Sequence, residues 1–411
     1  MIQTGTSANE MGCPDCGTLQ ELREPAPGMV SVCPVCHHKL ERTSGRSDRA
    51  AFGFAFATFA LLFPANIDPL MQISVLGIDR QTRIGTGLYT LWDQQWVVLV
   101  TLVAAFAIVL PFVRFGLLSI VLSCIGLGRT PRWLGPAYRI CLSLDVWAMP
   151  DVLLLGAAVG YSRIAARLPV HVGMGGICLI LAAMCAMLCR ATLDRRAVWR
   201  RIEPARYAPP PGAPAISCAG CDLALPADAE GSRCPRCAAT LHSRKPDALT
   251  RTLALVVAGL ALYIPANVFP MNVNIELGHR VDYRIIDGVI DLFKGGFWPL
   301  GMLIFCTSIA IPLLKLLGLG WFLISIRRRS AARLVFKTKL FRVIDEIGRW
   351  SNIDVFTIVI FAPMIQFGTL ATATAGVGGV SFILVVALTM MASRVFDPRL
   401  MWDAAAARGA P

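Results

Sequence analysis

Eight of the fourteen cysteines fall in four C-x-x-C pairs: Cys13/Cys16, Cys33/Cys36, Cys218/Cys221 and Cys234/Cys237. The pairs form two quartets with the spacings C-x2-C-x16-C-x2-C and C-x2-C-x12-C-x2-C. Two knuckles that bring four thiolates together suit a tetrahedral metal ion. Pro14, Pro34 and Pro235 follow the first cysteine of three pairs, and Gly17 follows Cys16. These residues favour a tight turn that aims backbone N–H groups at the sulfurs. A closed four-sulfur site keeps no open coordination position, so the spacing predicts structural Zn2+, one ion per quartet and two per chain. Rubredoxin-type iron and a redox-active dithiol are the competing chemistries. His37, His38 and His242 lie beside the knuckles and read as surface residues rather than ligands.

The second piece of chemistry is a lysine in the wrong place. Residues 311–318 read IPLLKLLG, inside an apolar stretch from Phe297 to Ile326. Lys315 lies twelve residues before Arg327, roughly 18 Å along a helix axis. That is far for an ammonium to snorkel to an interface, and an unpaired charge at mid-membrane costs at least ~2.5 kcal/mol. Asp354 in SNIDVF is its expected partner, and Arg114 with Asp145 in SLDVW is the corresponding pair earlier in the chain. Ser308 precedes Lys315 by seven residues, and Ser351 precedes Asp354 by three, each on one helix face. Thr389 lies on the last span. The expected polar cluster is therefore Ser308, Lys315, Ser351, Asp354 and Thr389, with Arg114, Asp145, Asn66 and Asn267 secondary. Helix packing alone is the competing reading of both charge pairs. Asp354 and Thr389 lie five residues from Arg349 and Arg394, which makes them look shallower than Lys315.

The elements that carry these residues are apolar runs. The chain has 411 residues, of which only 16% are charged, against about 25% in soluble proteins. Runs at 50–66, 96–126, 141–161, 170–190, 251–267, 297–326, 352–374 and 377–393 approach or exceed the ~20 residues of a membrane helix. The net charge of +13 comes from Lys and Arg beside those runs. This is a positive-inside pattern rather than a nucleic-acid surface. The first forty residues are polar and Cys-rich, so no cleavable signal peptide is expected.

The chain says everything twice. CPVCHHKL at 33–40 matches CPRCAATL at 234–241, FPANIDPLM at 63–71 matches IPANVFPMN at 264–272, and LPFVRFG at 110–116 matches IPLLKLLG at 311–318, each at an offset of 201. Pro111 and Pro312 precede Arg114 and Lys315 by three residues, whereas Ala107 stands where the second half has Ser308. The expected fold is an all-α polytopic membrane protein of two tandem repeats, each a four-Cys zinc ribbon followed by four transmembrane helices, eight in total. The expected boundaries are 1–46 and 201–246 for the ribbons, 47–200 and 247–400 for the membrane domains, and 401–411 for a tail. Basic segments follow alternate spans, which places both termini and both ribbons in the cytoplasm. An even number of spans per half makes the repeats parallel. The P-A-N asparagines, Asn66 and Asn267, read as turn residues or as ligand-facing groups.

The paired four-Cys ribbons, the repeated P-A-N, the IPLLK segment and the D-V-F/W third span resemble the paraquat-inducible protein A (PqiA/LetA/YebS-like) family. The resemblance covers nearly the whole chain. It implies a bacterial inner-membrane protein that partners a periplasmic MCE-domain tunnel protein in moving membrane lipids, of the phospholipid class, between the inner and outer membranes. No G-x-x-x-x-G-K-[ST] loop occurs, so no ATP use and no enzyme activity are expected. The intramembrane Lys/Asp/Ser/Thr cluster would then couple transport to protons. A membrane redox protein and a non-transporting scaffold for the tunnel protein are the alternatives.

Overall fold

The computed structural model describes residues 9–22, 26, 28–42, 48–75, 78–93, 96–165, 169–202, 214–276, 279–353, 355–357 and 371–409. Each half opens with a membrane-length helix, α1 (Asp48–Ile67) in the first. It closes on Pro64 and Asn66, whose side-chain amide donates to the Leu62 carbonyl at 2.7 Å. A short helix α2 (Ile84–Asp93) follows, then the long α3 (Val97–Gly126). Helix α3 opens into a π turn over Ala104–Val109, where the Leu110 N–H reaches back to the Ala105 carbonyl. Pro111 explains it. Its ring would press on the carbonyl four residues back, and the wider turn relieves that contact.

The third expected span of this half, 141–161, is two helices instead. They are α4 (Leu134–Leu144) and α5 (Pro150–Ala165). Pro150 starts a new helix and disfavours helical backbone in the residue before it. Helix α6 (Met174–Thr192) is the last span and α7 (Arg195–Ile202) trails it.

The second half repeats the order. It has α8 (Ala248–Val268), α9 (Ile285–Lys294), and α10 (Trp298–Arg327) with a π turn over Phe305–Ala310 ahead of Pro312. Then come α11 (Leu334–Ile347), a 3-10 turn over Gly348–Asn352, α12 (Val377–Val395) and α13 (Arg399–Gly409). Of the expected span 352–374, residues 354 and 358–370 lie outside the described residues, and its end is a strand. Among the described residues six helices, not eight, are long and apolar enough to cross a membrane.

The expectation of an all-α chain needs a second correction. Each half builds a three-stranded antiparallel sheet between its spans, on the side away from the ribbons. In the first, β5 (Met71–Val75) lies between β6 (Ile78–Thr82) and β7 (Val170–Val172), with Met71 opposite both Thr82 and Val172. In the second, β10 (Asn272–Glu276) lies between β11 (His279–Tyr283) and β12 (Ala371–Ala375). Burial alternates along Met71, Gln72 and Ile73, the period-2 signature of a strand. Each sheet joins the exit of a first span to the entry of a last one, so α1 packs along α6 and α8 along α12. The crossing is close enough to exclude side chains. A Cβ on Gly175 or Gly378 would strike the carbonyl of Asp68 or Phe269.

The halves join through their third-span segments. Thr357 Oγ1 donates to the Gly156 carbonyl at 3.2 Å, and Asn352 Nδ2 stands 3.3 Å from Met149 Sδ. The ribbons are built from the hairpins β1 (Asn9–Gly12) with β2 (Leu19–Leu22), β3 (Val30–Val32) with β4 (Lys39–Arg42), and β8 (Ala215–Ser217) with β9 (Ala224–Pro226). Each ribbon bonds its own half, Glu41 to Arg200 of α7 at 2.7 Å and Arg244 to Asp403 of α13 at 2.6 Å, and each also packs across on the other. The second ribbon's cysteines share a core with Leu134, Tyr138 and Cys141 of α4 in the first half. Those of the first pack on Trp402 of α13 in the second half.

Candidate functional site

Each quartet closes on itself. The sulfurs of Cys13 and Cys36 are 3.4 Å apart, and those of Cys16 and Cys33 are 3.6 Å apart. In the second ribbon the Cys218–Cys237 and Cys221–Cys234 separations are 3.5 and 3.6 Å. Four sulfurs at ~2.3 Å from one zinc ion stand about 3.8 Å apart, so both cages fit Zn2+. Local backbone makes the cages. Gly17, His37, Asp222 and Ala238, each the residue after a pair's second cysteine, adopt φ of +78°, +57°, +57° and +55°. The turns return the Gly17 and His37 N–H groups to the Cys13 and Cys33 carbonyls, both at 2.9 Å. A bound ion would supply a cross-link between two knuckles, and the eight cysteines would hold it.

The neighbouring histidines stay outside the cages. His37 and His242 are exposed, and His38 Nδ1 pairs with Asp15 Oδ2 at 2.9 Å. Burial pushes the Asp15 carboxyl up, but His38 and then Arg342 outweigh it and hold it below the usual carboxylate range.

The first half carries a buried charge network. Arg114 is 3% exposed. Its guanidinium meets Asp145 Oδ1 at 2.5 Å, and it lies 4.6 Å above the Phe115 ring. Asp145 is also held by Arg190 Nε at 3.0 Å and Arg195 Nη2 at 2.6 Å. Arg190 adds a 2.8 Å bond to Asp151. Sequence reasoning paired Arg114 with Asp145 but missed Arg190, Arg195 and Asp151. The signal was there: Arg190 ends the last apolar run of that half, and Arg195 follows it by five residues. The network ties α3, α6 and α7 to the break between α4 and α5.

The second half holds Lys315 differently. Lys315 is 1% exposed, and its Nζ donates to the Gly348 carbonyl at 3.5 Å. A Cβ on Gly348 would fall on the lysine's Cε and Nζ, so any larger residue there must displace the end of the Lys315 side chain. Ser308, Ser351 and Thr389 are all buried. Thr389 donates to the Val386 carbonyl at 2.9 Å, while Ser351 Oγ has no partner among the described residues. The π turn of α10, the turn 348–352, α10 and α12 pack together, so these residues share one region. Asp354 lies outside the described residues. Gly348 is the residue that sequence reasoning passed over.

The repeat register refines the pairing of acids. GMGG at 173–176 and GVGG at 376–379 are offset by 203, not 201, and Asp151-Val152 matches Asp354-Val355 at the same 203. Asp354 thus corresponds to Asp151 rather than to Asp145. Arg190 corresponds to Ser393, whose Oγ donates to the Met390 carbonyl at 3.1 Å. The arginine that ties the first half together is a small hydroxyl in the second.

Asn66 and Asn267 spend their amide donors on their own helices, at Leu62 (2.7 Å) and Tyr263 (2.8 Å). Asn66 Oδ1 is buried without a partner among the described residues.

Comparison with known proteins places this architecture. The paraquat-inducible protein A family matches twice, over residues 49–203 and 249–406, once in each half. The intermembrane transport protein PqiA of Escherichia coli is 30% identical, with 98% of both chains covered. The lipophilic envelope-spanning tunnel protein A of Escherichia coli is 26% identical over 95% of this chain and 91% of its own. A probable intermembrane transport protein of Haemophilus influenzae is 23% identical over 90% of each. No solved structure shows significant similarity. With six membrane-length helices and two four-sulfur cages among the described residues and a family match in each half, the chain is a multi-pass membrane protein of the paraquat-inducible protein A family.

Proposed function

We propose that the chain is the inner-membrane component of a system that moves phospholipid-class lipids between the inner and outer membranes. It would load or receive lipid at a periplasmic MCE-domain tunnel protein, with both ribbons and both termini in the cytoplasm. The names of its relatives support intermembrane transport. The observation that carries the reading is Lys315, a fully buried lysine inside a membrane helix that donates to the Gly348 carbonyl at 3.5 Å. A primary amine there can exchange a proton or meet a headgroup phosphate, and sites of this kind in membranes serve transport. With Ser308, Ser351, Asp354 and Thr389 it would form the transport centre, coupled to proton movement. Arg114 and Asp145, engaged in a network of five charged residues, serve structure.

The ribbons would hold two structural zinc ions. A redox role would instead need iron or a reactive dithiol. A scaffold role would leave the buried charges dispensable. The test is lipid transfer between donor and acceptor vesicles by purified protein, with and without a co-purified MCE-domain partner. We expect transfer only with the partner. Full transfer by the chain alone would refute partner dependence, and transfer by the complex carrying Lys315→Met would refute the transport centre.

A further inference from the structure

Arg342 lies on α11, six residues before Gly348, about 9 Å along the helix axis. Its guanidinium reaches across to both knuckles of the first ribbon. Nε bonds Asp15 Oδ2, between Cys13 and Cys16. Nη1 donates to the His37 carbonyl at 3.3 Å, and Nη2 to the Cys36 carbonyl at 3.1 Å and the Cys36 sulfur at 3.3 Å. Four acceptors on two knuckles engage one side chain. Only the planar fork of arginine can do this, because lysine offers a single point of attachment. Four thiolates around a dication leave the cage with a net negative charge, which favours a guanidinium at its edge.

Helix α11 carries that contact to Lys315. Ile344 fills the space above Gly318 on α10, one turn beyond Lys315. Phe341 packs on Phe322 of α10 and on Phe396. Trp402, which packs on the ribbon's cysteines, donates to Thr338 Oγ1 of α11 at 3.1 Å. The helix then ends at Gly348, whose carbonyl receives Lys315. The second ribbon meets α4 by close packing instead, with Gly135 directly against the Arg236 carbonyl.

We propose that Arg342 is a positioning residue of the Lys315 centre: it fixes the end of α11 to the metal-loaded first ribbon, and so holds the Gly348 carbonyl at Lys315. The clamp works across the repeats, from the ribbon of one to the membrane centre of the other. The link to transport rests on the function proposed above; the mechanical link does not.

The experiment uses full-length protein in lipid nanodiscs and compares wild type with Arg342→Gln, Arg342→Lys and Asp15→Asn. Three quantities are measured: zinc content, amide hydrogen exchange, and lipid transfer in the complex. Arg342→Gln should keep both zinc ions, raise exchange over residues 343–353 about tenfold, and lower transfer by a similar factor. Asp15→Asn, which attacks the same clamp from the ribbon side, should raise exchange over the same residues, and Arg342→Lys should not rescue. Unchanged exchange at 343–353 in both variants would overturn the proposal, whatever happens to transfer. Loss of one zinc ion with 343–353 unchanged would make Arg342 a ribbon-folding residue only, and would overturn it too. Lys315→Met separates the two readings. Wild-type transfer by that variant removes the transport centre, while the exchange data still decide the clamp.

Discussion

The Lys315 side chain ends where the side chain of residue 348 would begin. Gly348 has φ of −59°, ordinary for any residue, so only space is contested there. Gly348→Ala should therefore displace the ammonium from its carbonyl at an overpacking cost of about 1–3 kcal/mol. We expect lipid transfer to fall at least about tenfold with the protein still present in membranes. Adding Lys315→Met should restore thermal stability, because the flexible thioether can yield, but not transfer. Purified yield, a melting curve and vesicle transfer check all three outcomes.

The sequence showed the cages, the repeat and six of the spans because each follows from strong local chemistry: a sulfur quartet, a copied motif, a long apolar run. It hid what depends on tertiary fit. The span 141–161 looked continuous because hydropathy does not register that Asp145 is gripped by three arginines just before Pro150. The sheets escaped because the β5–β6 hairpin has only five residues per strand, and its third strand, β7, pairs from far along the chain and leaves no local trace. Gly348 carried no signal in one sequence. A glycine is legible as a contact only when its neighbour is known, and its neighbour is thirty-three residues away. The packing of each ribbon across on the other half also lies beyond motif reading, since each ribbon precedes in sequence the membrane domain that the other one touches.

That packing across the halves makes a prediction about zinc. Wild-type protein should hold two zinc ions per chain by elemental analysis, and Cys234→Ser should hold one. Because Cys234 shares a core with Leu134 and Tyr138, losing its ion should loosen α4, in the other half of the chain. Exchange over 134–144 should rise, with 334–347 unaffected, and abundance should fall. Stoichiometric iron, or disulfides in place of metal, would instead favour the redox alternative.

The arginine network should behave as structure. Asp145→Ala leaves Arg114, Arg190 and Arg195 without a shared acceptor. Removing one partner of a buried ion group costs about 3–5 kcal/mol. Abundance should drop sharply, and transfer per molecule should change little. Arg114→Met with Asp145→Leu should recover only part of the loss: it removes the most buried arginine together with its acceptor, while Arg190 keeps Asp151 and Arg195 is exposed. Quantitative blotting alongside transfer separates the two effects.

Orientation is tested by impermeant thiol labelling of cysteines placed at Gly278, between β10 and β11 in the sequence, and at Ala407 on α13. In intact spheroplasts position 278 should label and position 407 should not. Labelling at 407 from outside would invert the proposed topology and place the zinc cages in the periplasm.

Lys315 itself gives the sharpest division. If the amine exchanges a proton during transport, Lys315→Ala should abolish transfer while leaving the protein near its normal level. Lys315→Arg should fail as well, for two separate reasons. A guanidinium does not release its proton near neutral pH. It is also bulkier than the ammonium that Gly348 accommodates, so the variant alone does not isolate proton exchange. Pairing it with Lys315→Met does. The thioether is close to lysine in length and has no charge, so it keeps the packing against Gly348 while removing the amine. A buried charge kept only for packing is often replaced by methionine without loss, and sometimes with a gain of stability. Lys315→Met should therefore be at least as stable as wild type and inactive in transfer, measured on equal amounts of protein in vesicles. A stable and active Lys315→Met protein would reduce Lys315 to a packing residue and end the case for a proton-coupled centre in this half.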